Sequence, residues 1–264
     1  MKVAAIQIES KLDPQINLKK IRGLIAEAVE KKAEAIFLPE CFYSISDGTI
    51  ATPYLVEVNP QNEHYKNIQA LARDFKVYLI GGSATTKFDG KIFNRAYNFD
   101  PNGVELNHYD KIHLFKIDLS RHSSKKISNE EAIYSKGNSL TQIRIGELNF
   151  GIAICFDLRF PEMFREYSKN GANVLSISAA FTVPTGKAHW HTLMRARAIE
   201  NQSYVVASAQ WGTHNDKIQT FGHSLIINPW GEIIAELPEG EGVIVADLDI
   251  NLINEIRTRM KVLI

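Results

Sequence analysis

Two cysteines, Cys41 and Cys155, are all that the 264 residues contain. That is too few for a disulfide framework, and a reducing compartment suits both. An excess charge of one sign is missing too. Thirty basic and thirty acidic residues leave a formal net charge of zero, so neither nucleic acid nor an anionic membrane is expected as a partner. No apolar run approaches the roughly 18 residues that a membrane helix needs. The opening MKVAAIQIES meets Glu9, Lys11 and Asp13, so it reads as a strand and not a signal peptide. Neither a glycine-rich phosphate loop nor metal-site spacing of cysteine or histidine occurs, so no cofactor and no metal are expected. What is left is ordinary globular composition, 45% hydrophobic and 23% charged, with length enough for a sizeable core. These absences predict a soluble cytoplasmic protein.

The stretch Leu148 to Glu162, LNFGIAICFDLRFPE, is the most informative in the chain. Phe150, Ile152 and Ile154 alternate with Gly151 and Ala153 as in a buried strand. Pro161 and Glu162 then read as a helix start. Cys155 falls where the strand stops and the chain bends. A side chain there is held rigidly from below and faces a cleft above, as a nucleophile requires. The plain alternative is one more small buried hydrophobe.

Around it, strands and helices interleave. Val3–Ile8, Ala35–Leu38, Val77–Gly82 and Lys91–Phe99 read as strands, the last turning at Asp100–Gly103 into Val104–Asp110. Helical spacing marks Leu18 to Val29, Ile68 to Phe75, Pro161 to Lys169, Lys187 to Glu200, and a final helix through Arg259. From His113 to Asn138 the pattern lapses into a polar, irregular stretch, and a loop of that length inside a domain is usually functional. Further strands are expected around Gly146-Glu147 and over Val174–Ser178, Tyr204–Gln210, His223–Asn228, Glu232–Glu236 and Val243–Asp249. Frequent hairpins argue against an all-parallel sheet. No linker divides the chain, so residues 1–264 form a single domain.

Three groups share the placement of Cys155 just beyond a strand: Glu40 in FLPEC, Lys111 in YDKIHLF, and Cys155 itself in ICFDLRFPE. Singly, Glu40 could cap a turn and Lys111 could be a solvated strand end. Together they resemble the nitrilase superfamily of carbon–nitrogen hydrolases, whose catalytic Glu–Lys–Cys occurs in that order and in these contexts. The similarity runs from VAAIQ through GANVLSISAAF, GKAHWHTLMRARAIENQSYVVASAQ and FGHSLIINPWGEIIAE to the last helix. It implies an α/β fold: a four-layer α-β-β-α sandwich of two mixed β-sheets flanked by helices. It also implies a homodimer or higher homo-oligomer, paired through the helices starting at Pro161 and near Lys187. The family carries a second glutamate seven residues before a glycine. Counting back from Gly137 gives Glu130, with Glu131 beside it as the alternative.

The chemistry explains the grouping. A free thiol is only a few per cent thiolate near neutrality. Glu40 would take its proton as general base and later return it as acid. Lys111 would face the oxygen that turns negative in the tetrahedral intermediate, helped by the backbone N–H of Phe156. Glu130 would orient Lys111. Cys41 directly follows Glu40, but neighbouring side chains in an extended segment point apart, so simple burial is expected for it. His113, His189, Trp190 and His223 read as wall or scaffold, and Trp230 as turn packing.

The words LPEC, KIHLF, DLRFPE, AHW and RARAIE resemble the branch that includes deaminated glutathione amidase and omega-amidase. That resemblance implies a small-molecule amide substrate: a dicarboxylic keto acid joined through its distal carboxyl to cysteinylglycine or to ammonia. AQWGTHNDKIQTFGHS leans to the first. Arg159 is the candidate for the distant carboxylate, with Phe181 as an apolar wall and Thr185 as a hydroxyl donor. The plain reading of Arg159 is an ion pair with Asp157 or Glu162. Another amidase or N-carbamoyl hydrolase on the same machinery, and a non-enzymatic scaffold, are the competing classes.

Overall fold

Successive residues of the strand Lys2–Gln7 face two different cores. In the computed structural model, which describes residues 1–59, 61–118 and 127–262, Val3 and Ala5 join one buried cluster, and Ala4 and Ile6 another. The strand Ala35–Leu38 repeats the pattern: Ala35 and Phe37 point one way, Ile36 and Leu38 the other. Val3–Ile6 and Ala35–Leu38 are therefore apolar without a break, as period-two side chains on a sheet covered on both faces must be.

One face is covered by helices α1 (Pro14–Glu30) and α2 (Glu63–Phe75), through Leu18, Ile21, Ile25, Ile68 and Leu71. Both helices start on a side-chain cap: Asp13 accepts from Gln15 N at 2.8 Å, and Asn62 from Tyr65 N at 2.9 Å. The other face meets a second sheet, and Phe37 packs against Phe150 across the gap with ring centroids 5.9 Å apart. Beyond that sheet lie α3 (Pro161–Lys169) and α4 (Val183–Asn201), which contribute Phe164, Tyr167, Trp190 and Met194 to the same cluster. The order is helix, sheet, sheet, helix. The last helix, α5 (Ile250–Arg259), adds Ile253 to this core.

The larger sheet has eight strands, in spatial order Gly242–Asp247, Lys2–Gln7, Ala35–Leu38, Tyr78–Gly81, Lys91–Phe99, Ser83–Phe88 and Val56–Glu57, with Glu105–Asp110 also paired to Lys91–Phe99. The smaller has six: Gln142–Ile145, Leu148–Ile154, Val174–Ala179, Tyr204–Ala209, Ser224–Ile227 and Ile233–Leu237. Both mix parallel and antiparallel pairs, which is the four-layer α/β sandwich expected.

The structure departs from the sequence reading in several places. Ser83–Phe88 is a strand that polar SATTKF hides, and it turns back at Asp89-Gly90, both with positive φ. That Asp-Gly pair is the usual hairpin signal. Helix α4 begins at Val183, not near Lys187, with Pro in its first turn. The stretch His113–Asn138 holds a short ribbon, Lys116–Asp118 against Ile127–Asn129, and then a 3-10 turn at Glu130–Ala132. Residues 119–126 of that stretch lie outside the described residues. Trp230, expected to pack in its turn, is exposed; Asn228 Oδ1, which accepts from Trp230 N and Glu232 N, holds the turn instead.

Candidate active site

Three strand ends converge. Ala35–Leu38 leads to Glu40 and Glu105–Asp110 to Lys111, both in the larger sheet, while Leu148–Ile154 in the smaller leads to Cys155. The side chains meet where the two sheets end, around a pocket of about 160 Å³. Glu40, Lys111 and Cys155 are 3%, 1% and 8% exposed, so little water competes for their charges. Cys155 sits at the start of a 3-10 turn with φ +48°, the left-handed backbone of a sharp bend. A residue with a Cβ holds that conformation only when its surroundings over-determine it.

Lys111 Nζ lies 2.8 Å from Glu40 Oε1 and 2.8 Å from Glu130 Oε2. Glu40 Oε1 also accepts from Asn94 Nδ2 at 2.9 Å, and the Glu40 carbonyl accepts from Gln210 Nε2 at 2.9 Å. Glu130 Oε2 accepts from Phe115 N at 2.7 Å, so the loop carrying Glu130 is closed back on the Lys111 segment. Glu131 points away to Lys136 at 2.8 Å and Lys116 at 3.6 Å. Of the two neighbouring glutamates, Glu130 is the one in the site.

Burial opposes the charge on Lys111, but Glu130 and Glu40 outweigh it and hold its pKa well above the ordinary lysine value. Burial pushes Glu130 up, with Lys111 pulling the other way and Glu40 adding to the rise. The Cys155 thiol is pushed well above its ordinary value by burial and then by Glu40, against the pull of Lys111 and of a hydrogen bond from the Ala180 backbone. Both burial and Glu40 thus favour the protonated thiol.

Comparison with known proteins gives the family. The profile of the family described as Carbon-nitrogen hydrolase matches residues 2–258. The chain belongs to that family. It is 38% identical over 246 residues to an omega-amidase NIT2 of Xenopus tropicalis, covering 93% of this chain and 87% of that one. It is 36% identical over 262 residues to a deaminated glutathione amidase of Synechocystis, covering 97% and 94%. Among solved structures, Nit3 of Saccharomyces cerevisiae, described as a member of branch 10 of the nitrilase superfamily, superposes with a TM-score of 0.88 at 30% identity over 99% of this chain and 94% of that one. This carbon–nitrogen hydrolase therefore acts on carbon–nitrogen bonds.

The remaining expected residues of the hydrolase line the same pocket. Phe156, Arg159, Phe181 and Thr185 are all on its wall. Arg159 makes no ion pair with an acidic side chain among the described residues. Its guanidinium stands 5.6 Å from the Phe156 ring centroid and 5.3 Å from that of Phe181, and its Nη1 is 3.2 Å from His189 Nδ1. Thr185 is in the first turn of α4 and hydrogen bonds to Thr182 Oγ1 at 2.9 Å. Trp190 is buried behind the pocket, packs on Phe181 and donates Nε1–H to the His223 carbonyl at 2.8 Å, which makes it scaffold and not wall.

Cys41 needs correction. It is only partly buried and lines the pocket beside Glu40, because its backbone is left-handed, φ +53°, and not extended. Burial and then Glu40 push its thiol pKa up, which keeps it neutral. Sequence reasoning also missed Asp157, a fully buried carboxylate two residues past Cys155; an acid directly after a long apolar strand was the available signal. It missed the pocket wall supplied by Ser44, Ser46 and Ile218 as well.

Among the described residues one set could hold a metal: His191, His223 and Glu236, with donor atoms within 4.8 Å of one another. They come from three separate elements, so spacing along the chain conceals them. Glu236 Oε1 accepts from His191 Nε2 at 2.7 Å and from His223 Nδ1 at 2.6 Å, which satisfies the trio by hydrogen bonding alone.

Proposed function

We propose that the chain is a cysteine-dependent amidase that cleaves the distal amide of a dicarboxylic keto acid through a thioester. The observation that carries the reading is the Lys111 ammonium held between Glu40 and Glu130 in the pocket that Cys155 lines. Glu40 takes the thiol proton as Sγ attacks the amide carbonyl. The new oxyanion faces Lys111 and the Phe156 N–H, donors already oriented before charge develops. The C–N bond breaks as Glu40 returns the proton to nitrogen, and the amine leaves. Water then gives a proton to Glu40 and attacks the thioester. The C–S bond breaks, the sulfur recovers its proton from Glu40, and the acid departs. Glu130 holds Lys111 throughout.

The acyl group is read from the other end of the pocket. Arg159 is a cation with no carboxylate partner among the described residues, backed by two aromatic faces and facing the first turn of α4, where Thr185 offers a hydroxyl. A carboxylate on the acyl chain supplies what it lacks. With the relatives named above, this supports deaminated glutathione as substrate, giving 2-oxoglutarate and cysteinylglycine. 2-Oxoglutaramate, which releases ammonia, has the same acyl half. The deciding measurement is kcat/KM for the two amides, together with mass spectrometry of the trapped acyl-enzyme. An adduct on Cys155 and an inert Cys155→Ala variant are expected. An adduct on Cys41, or wild-type-like turnover in Cys155→Ala, sinks the mechanism.

A further inference from the structure

One buried carboxylate that the reaction does not consume joins the two halves of the site. Asp157 Oδ2 accepts from the Ile154 backbone N–H at 2.9 Å and the Tyr109 hydroxyl at 2.8 Å. Its Oδ1 accepts from the His113 backbone N–H at 3.0 Å and His113 Nδ1 at 2.8 Å. Ile154 immediately precedes the nucleophile, while Tyr109 and His113 stand two residues on either side of Lys111. The Tyr109 oxygen also accepts from Ile112 N at 3.2 Å, so the whole turn carrying the lysine hangs on this carboxylate. The His113 ring lies flat on Phe160, centroids 3.6 Å apart, which braces the same joint from outside.

Lys111 and Cys155 arrive from different sheets, and no strand pairing fixes one against the other. Cys155 is in left-handed backbone, and the Ile154 bond to Asp157 pins the residue before it. Only an ionised carboxylate offers acceptor capacity for four donors on two oxygens. Asp157 is absent from the pocket wall, so it does not meet the substrate.

We infer that Asp157 is a positioning residue that sets the separation of the Cys155 sulfur and the Lys111 ammonium, so that the oxyanion formed by one lies within reach of the other. The inference rests on the reading of Cys155 as nucleophile and Lys111 as oxyanion partner.

Asp157→Asn tests it. A carboxamide has one oxygen and one NH2, and whichever way it lies the NH2 confronts a backbone N–H, that of Ile154 or that of His113. The joint must open. The expected result is a kcat per active site lowered about 10–100-fold, the scale of an ångström of misplacement, with KM within about threefold because Arg159 and Thr185 are undisturbed. Active sites are counted by mass spectrometry of the acyl-enzyme trapped on Cys155, so a variant that is merely less stable keeps its kcat per site. Tyr109→Phe removes two bonds on the lysine side alone, the one to Asp157 and the one from Ile112 N; a smaller loss of kcat with the same KM is expected, and this variant decides if Asp157→Asn does not fold. The inference is overturned if kcat per site stays within about twofold of wild type in the folded variants, or if KM rises in step with the loss. An inert Cys155→Ala beside full-speed Asp157→Asn and Tyr109→Phe would defeat the inference and leave the amidase reading standing. An active Cys155→Ala would defeat both.

Discussion

Lys111 Nζ stands 2.8 Å from Glu40 Oε1 in a place that solvent scarcely reaches. With the partly buried Glu130 on its other side, one ammonium offsets two carboxylates. Removing one member of such a group is costly because the others stay buried and unpaired, at about 3–5 kcal/mol for a broken buried pair. Lys111→Met is expected to lose activity and to lower the denaturant midpoint by that order. Its two carboxylates then repel, so one is driven to bind a proton in the folded state. Stability of the variant should therefore recover as pH falls, opposite to a protein held by paired carboxylates. A Lys111→Met protein as stable as wild type at neutral pH would mean the triad is not an electrostatic unit.

The state of the Cys155 thiol gives a second test. Burial and Glu40 push the Cys155 thiol well above its ordinary value of 9.0. Between that value and the folded one, the folded chain keeps a proton that the unfolded chain has lost. Stability from this group is thus complete below about pH 9 and falls as pH rises further. Alkylation of Cys155 by neutral iodoacetamide is expected to be slow from pH 6 to 8, climbing with the small thiolate fraction and reaching its plateau only in the alkaline range. A titration midpoint near 7, read by mass spectrometry of the labelled peptide, would falsify the picture of a resting thiol deprotonated during attack.

Much of this was legible beforehand, for identifiable reasons. Unbroken apolar runs such as Ala35–Leu38 and Leu148–Ile154 announce strands covered on both faces, and the residue after each run is placed by the strand behind it. Glu40 and Cys155 were readable on that account, whereas Lys111 follows the polar strand Glu105–Asp110 and was found through the resemblance of YDKIHLF to the family. Asp157 was not, because its four partners come from segments more than forty residues upstream as well as from the adjoining strand, and hydrogen bonding across sheets leaves no period in a sequence. The left-handed backbone at Cys41 was equally hidden, since it is imposed by tertiary bonds such as Cys41 N to Ser83 Oγ at 3.0 Å. Ser83–Phe88 escaped because its polar residues are buried between neighbouring elements, where composition misleads.

Arg159 separates a structural cation from a substrate-binding one. It has no acidic partner among the described residues, so Arg159→Lys removes no ion pair of the fold. What it removes is the planar fork that matches a carboxylate and stacks on Phe156 and Phe181. KM for a dicarboxylic keto-acid amide is expected to rise about tenfold or more, the order of one charge-assisted hydrogen bond, with kcat changed far less. Steady-state kinetics on 2-oxoglutaramate and on an amide lacking the distant carboxylate makes the check internal: only the first should respond. Equal responses would assign Arg159 to the scaffold.

Two glycines make opposite predictions from the same substitution. Gly137 donates its N–H to the Lys111 carbonyl at 2.9 Å, and a Cβ built there would lie 2.0 Å from the Asp110 carbonyl oxygen. That neighbour is backbone of the strand leading to Lys111 and cannot swing aside. In Gly137→Ala the loop must lift, taking Glu130 off the lysine it orients. The expected cost is about 1–3 kcal/mol of overpacking, with a fall in kcat larger than the fall in melting temperature alone would give. Gly23, inside α1, has nothing within 4 Å of its built Cβ, so Gly23→Ala gains helix propensity and should stabilise by about 0.5–1 kcal/mol with kcat unchanged. Thermal melts and kcat measured side by side on the two variants distinguish a glycine kept for space at the site from one that the fold merely tolerates. Matching behaviour would show that the close approach of Gly137 to Asp110 has no bearing on Glu130.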